Sequence, residues 1–118
     1  MFEKLEEIFI ELGLPYSRQG SYEEADELPA SFFTFWNMDT PEDGFYDNEA
    51  HQAVWFWAVY YYTKDPSTIF HKIQEFYIIA KEKGFIPDGR GKDIPSGLPD
   101  YSGRMLIIKY IEPYKEEK

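Results

Sequence analysis

The stretch that decides the fold is Gln52–Thr63, which reads QAVWFWAVYYYT. Its aromatic and β-branched composition is typical of a strand. A strand with one wet face alternates apolar and polar residues, but here both alternating sets are apolar. One set is Val54, Phe56, Ala58, Tyr60 and Tyr62, and the other is Trp55, Trp57, Val59 and Tyr61. Both faces of this strand therefore need cover.

The chain offers too little material for that cover. It has 118 residues, and 19% of them are aromatic. Bare aromatic side chains expose roughly 150 to 250 Å² each, and several together exceed the few hundred Å² that monomers leave in one apolar patch. We therefore predict association with another copy or a partner, with Trp55, Trp57 and Tyr61 at the contact.

Two segments have the pattern of helices. The first has an apolar face, glutamates opposite it, and Gly13 to end it; that face consists of Phe2, Leu5, Ile8, Phe9 and Leu12. The second begins at Asp65 and Pro66, which suit an N-cap and a first helical position, and it ends at Gly84. Its apolar stripe is Ile69, Ile73, Phe76 and Ala80.

Further strands flank the aromatic run. Ser31–Trp36 is β-prone, residues 37–44 have turn chemistry, and Phe45–His51 is a plausible hairpin return. Whether one strand or two lie between Phe45 and Thr63 stays open. Arg104–Ile111 is a final strand.

This order, α-β-β-β-α-β, predicts an α+β domain. We expect an antiparallel sheet of about four strands with two helices packed on one face. Residues 1–118 form a single domain in this interpretation. Residues 86–103 are rich in Pro and Gly and are expected to form a flexible loop. Within this loop, Asp88–Tyr101 is a candidate docking arm with Arg90, Lys92 and Tyr101 at the contact, and the tail 112–118 is expected to fray.

The charge is lopsided. Residues 1–50 carry thirteen acidic and two basic side chains, whereas residues 51–118 carry nine and ten, and the net charge is -10. Such a surface repels phosphates, so tight nucleic-acid binding is not expected. The chain has no run of about eighteen apolar residues, which argues against a membrane span, and its acidic start is unlike a signal peptide.

Motifs for chemistry are missing from the sequence. Without cysteine, disulfides and thiolate metal sites are excluded. His51 and His71 lack ligands at metal spacing, and the acidic run 39–50 has Pro41 and Ala50 where a calcium loop needs oxygen ligands. We predict no catalytic residue, no cofactor and no metal, and therefore no enzyme.

The layout of the chain resembles a known family. It comprises the first helix, the segment Leu28–Phe32, a strand ending Tyr-Tyr-Tyr-Thr-Lys-Asp-Pro before a helix, and the run Asp100–Tyr110 after a long loop. In order and length it is similar to the tail-terminator or tail-completion proteins of long-tailed bacteriophages and prophages. The resemblance spans most of the chain, and no single motif carries it.

The resemblance implies a structural role. Such a protein forms a homo-oligomeric ring, commonly a hexamer, which caps the tail tube and meets head-completion proteins. DNA crosses the lumen of the ring, and an acidic lumen would let it slide. The protein would be cytoplasmic during assembly and part of the virion afterwards.

Two other classes stay open. An acidic DNA mimic could occupy a nucleic-acid-binding protein, which would need carboxylates in rows near phosphate spacing. A small ligand-binding or enzymatic domain would need a deep pocket with a polar group of perturbed pKa.

Overall fold

The computed structural model describes residues 2–18, 28–43 and 52–113. In this part of the chain the elements are α1 (Phe2–Leu12), β1 (Tyr16–Arg18), β2 (Ser31–Asp39), β3 (Glu42–Asp43), β4 (Gln52–Thr63), α2 (Ile69–Glu82), β5 (Ile86–Ile94) and β6 (Ser102–Pro113). A short 3-10 turn, Pro66–Thr68, leads into α2. The α+β class is confirmed.

The sheet is mixed rather than antiparallel. Its strand order is β1-β2-β4-β6-β5, and the two-residue β3 pairs with one end of β4. β1 runs parallel to β2, with Tyr16 opposite Phe33, whereas the other pairs are antiparallel. The expectation of about four antiparallel strands was therefore wrong in number, and wrong in direction only for the pair β1–β2. Residues 19–30 connect β1 to β2, and a dozen residues is the length that a parallel crossover needs.

Both helices pack on the same face of this sheet. Their buried side chains are Leu5, Ile8 and Phe9 of α1 and Ile73, Phe76 and Ala80 of α2. The ring of Phe9 lies 5.4 Å from that of Phe33, 5.7 Å from that of Phe35 and 5.6 Å from that of Phe76. One aromatic side chain therefore joins both helices to β2.

The signals at the helix ends are confirmed in part, because Asp65 and Pro66 begin the 3-10 turn that precedes α2, whereas the N-cap of α2 itself is Thr68. An Asp65 side-chain oxygen accepts a hydrogen bond from the Ser67 backbone N–H at 3.1 Å, and Pro66 follows the cap. Gly13 and Gly84 have φ angles of +73° and +93° just beyond the two helices, a conformation that glycine adopts without penalty.

The segment predicted as a loop, 86–103, is largely a strand. Residues 86–94 form β5, and only residues 95–101 connect it to β6. The pairing shifts between Asp88 and Lys92, which is a β-bulge. At Gly91, φ is +88° and a Cβ atom would lie 2.5 Å from the Met105 carbonyl oxygen. Glycine is thus needed for the bulge, so a composition typical of a loop belongs here to a bent strand.

Other boundaries also move. β2 runs through Asp39 and so occupies part of the predicted turn 37–44, with an irregularity after Asn37. β4 is one continuous strand from residue 52. β6 includes Glu112 and Pro113, which were assigned to the frayed tail. The predicted hairpin return Phe45–His51 and residues 114–118 lie outside the described residues.

Candidate interaction surface: the open face of the sheet

The two apolar sets of β4 have different surroundings. Trp57 and Tyr61 point into the core beneath the helices, where they are 4% and 1% exposed. The alternate set, from Val54 to Tyr62, points to the opposite side of the sheet. Neither α1 nor α2 covers that side, which we call the open face.

The strand register shows which side chains build the open face. Ala58 pairs with Trp36 on β2 and with Ile107 on β6. Tyr60 pairs with Thr34 and Met105 in the same way. Ala58 has the smallest side chain of its set, so the larger side chains beside it surround a depression in the face.

The open face carries exposed apolar side chains. Trp36 and Met38 are each 45% exposed, Ile86 is 47% exposed and Ile111 is 41% exposed. The Trp36 indole N–H donates to the Tyr60 hydroxyl at 3.2 Å, which fixes its position. The ring of Tyr60 in turn stacks on that of Tyr62 at 6.3 Å and 4°. The face is therefore apolar and ordered before any partner arrives.

One end of the open face is covered by the chain itself. The Tyr101 ring packs edge-on against Phe32 at 5.8 Å, and its hydroxyl donates to the Pro29 carbonyl oxygen at 2.7 Å. The Lys64 ammonium lies 5.5 Å from the centre of the Tyr101 ring. Tyr101, predicted as a docking residue, thus anchors the connection 95–101 to its own sheet.

The other predicted interface residues do not lie together on one exposed surface. Trp57 and Tyr61 offer almost no surface, because the helices bury them. Trp55 is half-buried, stacks on Trp57 at 5.9 Å and donates to the Glu112 carboxylate at 3.3 Å. Sequence reasoning missed Trp36, Met38, Ile86 and Ile111, because the alternation in β4 does not tell which set faces the helices.

The two predicted basic residues also differ in their surroundings. The Arg90 guanidinium lies over the Tyr77 ring at 4.7 Å and donates to the Gln74 side chain at 2.9 Å. Arg90 is thus tied to α2. Lys92 is exposed and pairs with Met105, which places it at the rim of the open face.

The edge of the sheet at β5 is protected against strand addition. Pro87 has no backbone N–H, the bulge interrupts the ladder, and Asp88, Arg90 and Lys92 bring charge to the edge. Proline, bulges and charge are the devices by which proteins blunt an edge strand. Association by pairing a foreign strand with β5 is therefore disfavoured.

Four hollows in the surface of the described residues are small. Their volumes are about 220 to 390 Å³, at or below the low end of the roughly 300 to 1,000 Å³ of ligand pockets. The hydrogen bond from Tyr16 to the Glu6 carboxylate, 2.8 Å long, raises the pKa of Tyr16. Burial raises the pKa of Tyr62, and Tyr60 adds to the effect. Both shifts take the pKa further above neutral pH, so neither hydroxyl is made easier to deprotonate.

Metal chemistry finds little support in the described residues. No group of three His, Asp or Glu side chains in this part of the chain is placed to hold an ion. His71 lies on the surface of α2, with its Nε2 atom 3.4 Å from the Glu75 carboxylate. That arrangement fits a surface ion pair, while His51 lies outside the described residues.

No protein-family model and no curated protein sequence matches this chain. Within residues 2–18, 28–43 and 52–113, no helix has the length and apolar character to cross a membrane. The role of the open face therefore has to follow from its own geometry and chemistry.

Proposed function

We propose that this chain is a structural protein of a phage or prophage tail, which assembles with copies of itself into a ring. The ring would cap the tail tube and join it to head-completion proteins. The protein would act in the cytoplasm during assembly and remain in the virion. The observation that carries the proposal is the open face, and the layout of the chain supports it by resemblance.

The size of the open face suits self-assembly. Four strands about 4.8 Å apart and about eight residues with a rise of about 3.3 Å give a flat area of roughly 500 Å². Side-chain relief makes the accessible area larger. A standard interface takes roughly 800 Å² from each partner, so the open face has the right order of size for one subunit contact.

The charge of the chain fits a ring that DNA crosses without binding to it. The net charge is -10, and all of the excess negative charge lies in residues 1–50. In the described part of that region, Glu7 and Glu11 share the ammonium of Lys83 at 3.8 and 3.5 Å. This shared pairing interrupts the row of bare carboxylates that a DNA mimic would present, so it favours the structural role over the mimic.

The test is the mass of the protein across a concentration series, with and without purified tail tubes. We expect a monomer at low concentration and a closed ring at high concentration or on tube ends, visible by light scattering and electron microscopy. Trp36→Glu should weaken association at least tenfold, because it places a charge on the open face. Phe70→Glu is the matched control, since Phe70 is an exposed aromatic residue of α2.

A strict monomer at every concentration, also with tail tubes present, would contradict the proposal. Salt-sensitive binding to a basic DNA-binding protein, with no self-assembly, would favour the acidic mimic instead.

A further inference from the structure

A small hollow lies on the helix side of the sheet, where β1 meets the start of α1. Its volume is about 290 Å³, and its wall consists of Phe2, Tyr16, Ser17, Arg18, Phe35 and Trp57. Four of these six residues are aromatic. Ligand sites typically have such a wall, apolar and aromatic with a few polar groups. The hollow is separate from the open face, because Phe35 and Trp57 pack in the core beneath the helices.

The aromatic wall is held in place by packing within the protomer. The Phe2 ring stacks on that of Phe35 at 5.2 Å and lies 6.4 Å from that of Trp57. The Tyr16 ring stacks on that of Phe9 at 5.0 Å. The shape of the hollow therefore exists before a ligand arrives, which keeps the cost of ordering the site low.

The wall also contains a buried hydrogen-bond donor without an acceptor. Trp57 is 4% exposed, and no described residue accepts a hydrogen bond from its indole N–H. The neighbouring Trp55 differs, because its N–H donates to the Glu112 carboxylate. The Ser17 hydroxyl also lacks a partner in the described residues, but strand alternation turns it to the opposite side of the sheet. Buried donors normally have a partner, so the Trp57 indole suits a ligand that brings an acceptor.

The charged groups beside the hollow are mixed in sign. Arg18 is exposed and belongs to the wall. On α1, the Glu6 carboxylate accepts the hydrogen bond of the Tyr16 hydroxyl at 2.8 Å, and Glu3 follows Phe2 in the chain. One guanidinium among two carboxylates does not select an anion. The wall therefore favours an uncharged molecule, with an aromatic ring for the apolar surface and an oxygen acceptor for the indole.

We propose that this hollow binds a small uncharged aromatic molecule that carries a carbonyl oxygen. The ring packs against Phe2 and Phe35, and the carbonyl oxygen accepts the hydrogen bond of the Trp57 indole. The size agrees, since a cavity of about 150 Å³ holds benzene and about 290 Å³ admits one substituted ring. This site goes beyond the proposed structural role and does not depend on self-assembly.

Acetophenone and ethylbenzene test the site, because they are similar in shape and differ in the carbonyl oxygen. We expect acetophenone to bind the unmodified protein about two- to tenfold more tightly, the range that one neutral hydrogen bond gives. In NMR titrations, acetophenone should shift the indole N–H resonance of Trp57 more than that of Trp55. Benzoate, the charged analogue, should bind no more tightly than acetophenone.

Two matched variants locate the hydrogen bond. Trp57→Phe keeps an aromatic ring and removes the donor, so the preference for acetophenone over ethylbenzene should disappear. Trp55→Phe should keep that preference, since the Trp55 indole N–H already donates to Glu112. Equal affinities of the two probes for the unmodified protein, or an unmoved Trp57 resonance, would overturn the proposal, and neither measurement needs a variant that folds. Tighter binding of benzoate would overturn the choice of an uncharged ligand.

Discussion

The two faces of β4 are alike in sequence and unlike in the structure. Toward the helices, Trp57, Val59 and Tyr61 pack against α1, α2 and β6 and are almost fully buried. Toward the open face, Phe56 and Tyr60 keep part of their surface, and Trp36 beside them is half exposed. The set beneath the helices therefore stabilises the protomer, whereas in the other set only Phe56 and Tyr60 keep surface, since Val54, Ala58 and Tyr62 are buried.

The largest effect expected from this comparison is on stability. Phe9→Ala removes the ring that joins Phe33, Phe35 and Phe76, and a buried Phe→Ala change costs about 3 to 5 kcal/mol. Trp36→Ala on the open face should cost less than about 1 kcal/mol and should reduce self-association instead. Urea unfolding of dilute protein, combined with mass measurement, checks both. Equal destabilisation by the two changes would mean that the two faces do not differ as described.

A smaller effect is expected at the bulge of β5. Gly91→Ala places a methyl group 2.5 Å from the Met105 carbonyl oxygen at a φ angle of +88°. We expect a loss of about 1 to 3 kcal/mol more than in the control Gly89→Ala. Gly89 has a similar φ of +71° but no atom within 4 Å of the added group, so the control isolates the close contact. Similar urea midpoints for the two variants would show that β5 is not packed on β6 as described.

The smallest effect concerns alkaline pH. Because burial raises the pKa of Tyr62, the folded state favours the neutral hydroxyl relative to the unfolded chain. This contribution is fully present below the unfolded pKa of about 10 and is lost as the pH rises through the folded value. Tyr62→Phe should therefore lose less stability than the unmodified protein as the pH rises above about 10, measured by urea unfolding. An unchanged slope would contradict the burial of this hydroxyl.

Much of the fold could be predicted from local signals. The stripes of α1 and α2, the cap at Asp65 and the doubly apolar β4 all follow from residue type and spacing. These features depend on contacts within a few residues, which a sequence displays directly. They led to the α+β class and to the expectation that two helices could not cover the whole sheet.

Features that depend on distant pairing were missed. The parallel pairing of β1 with β2 joins Tyr16 to Phe33, which are distant in the sequence, and β5 depends on a bulge in which Gly91 meets β6. Which of the two apolar sets of β4 is buried depends on the face of the sheet against which α1 and α2 pack. For that reason Trp57 and Tyr61 were named as contact residues, whereas the open face presents Trp36 and Met38.

The most direct test of the central claim is hydroxyl-radical footprinting of the protein across a dilution series. Trp36 and Met38 should react fully in dilute protein and become protected as the mass rises, because assembly covers the open face. Phe70 on α2 should react equally at every concentration. Assembly without protection of Trp36 and Met38 would show that copies meet elsewhere and would contradict the account.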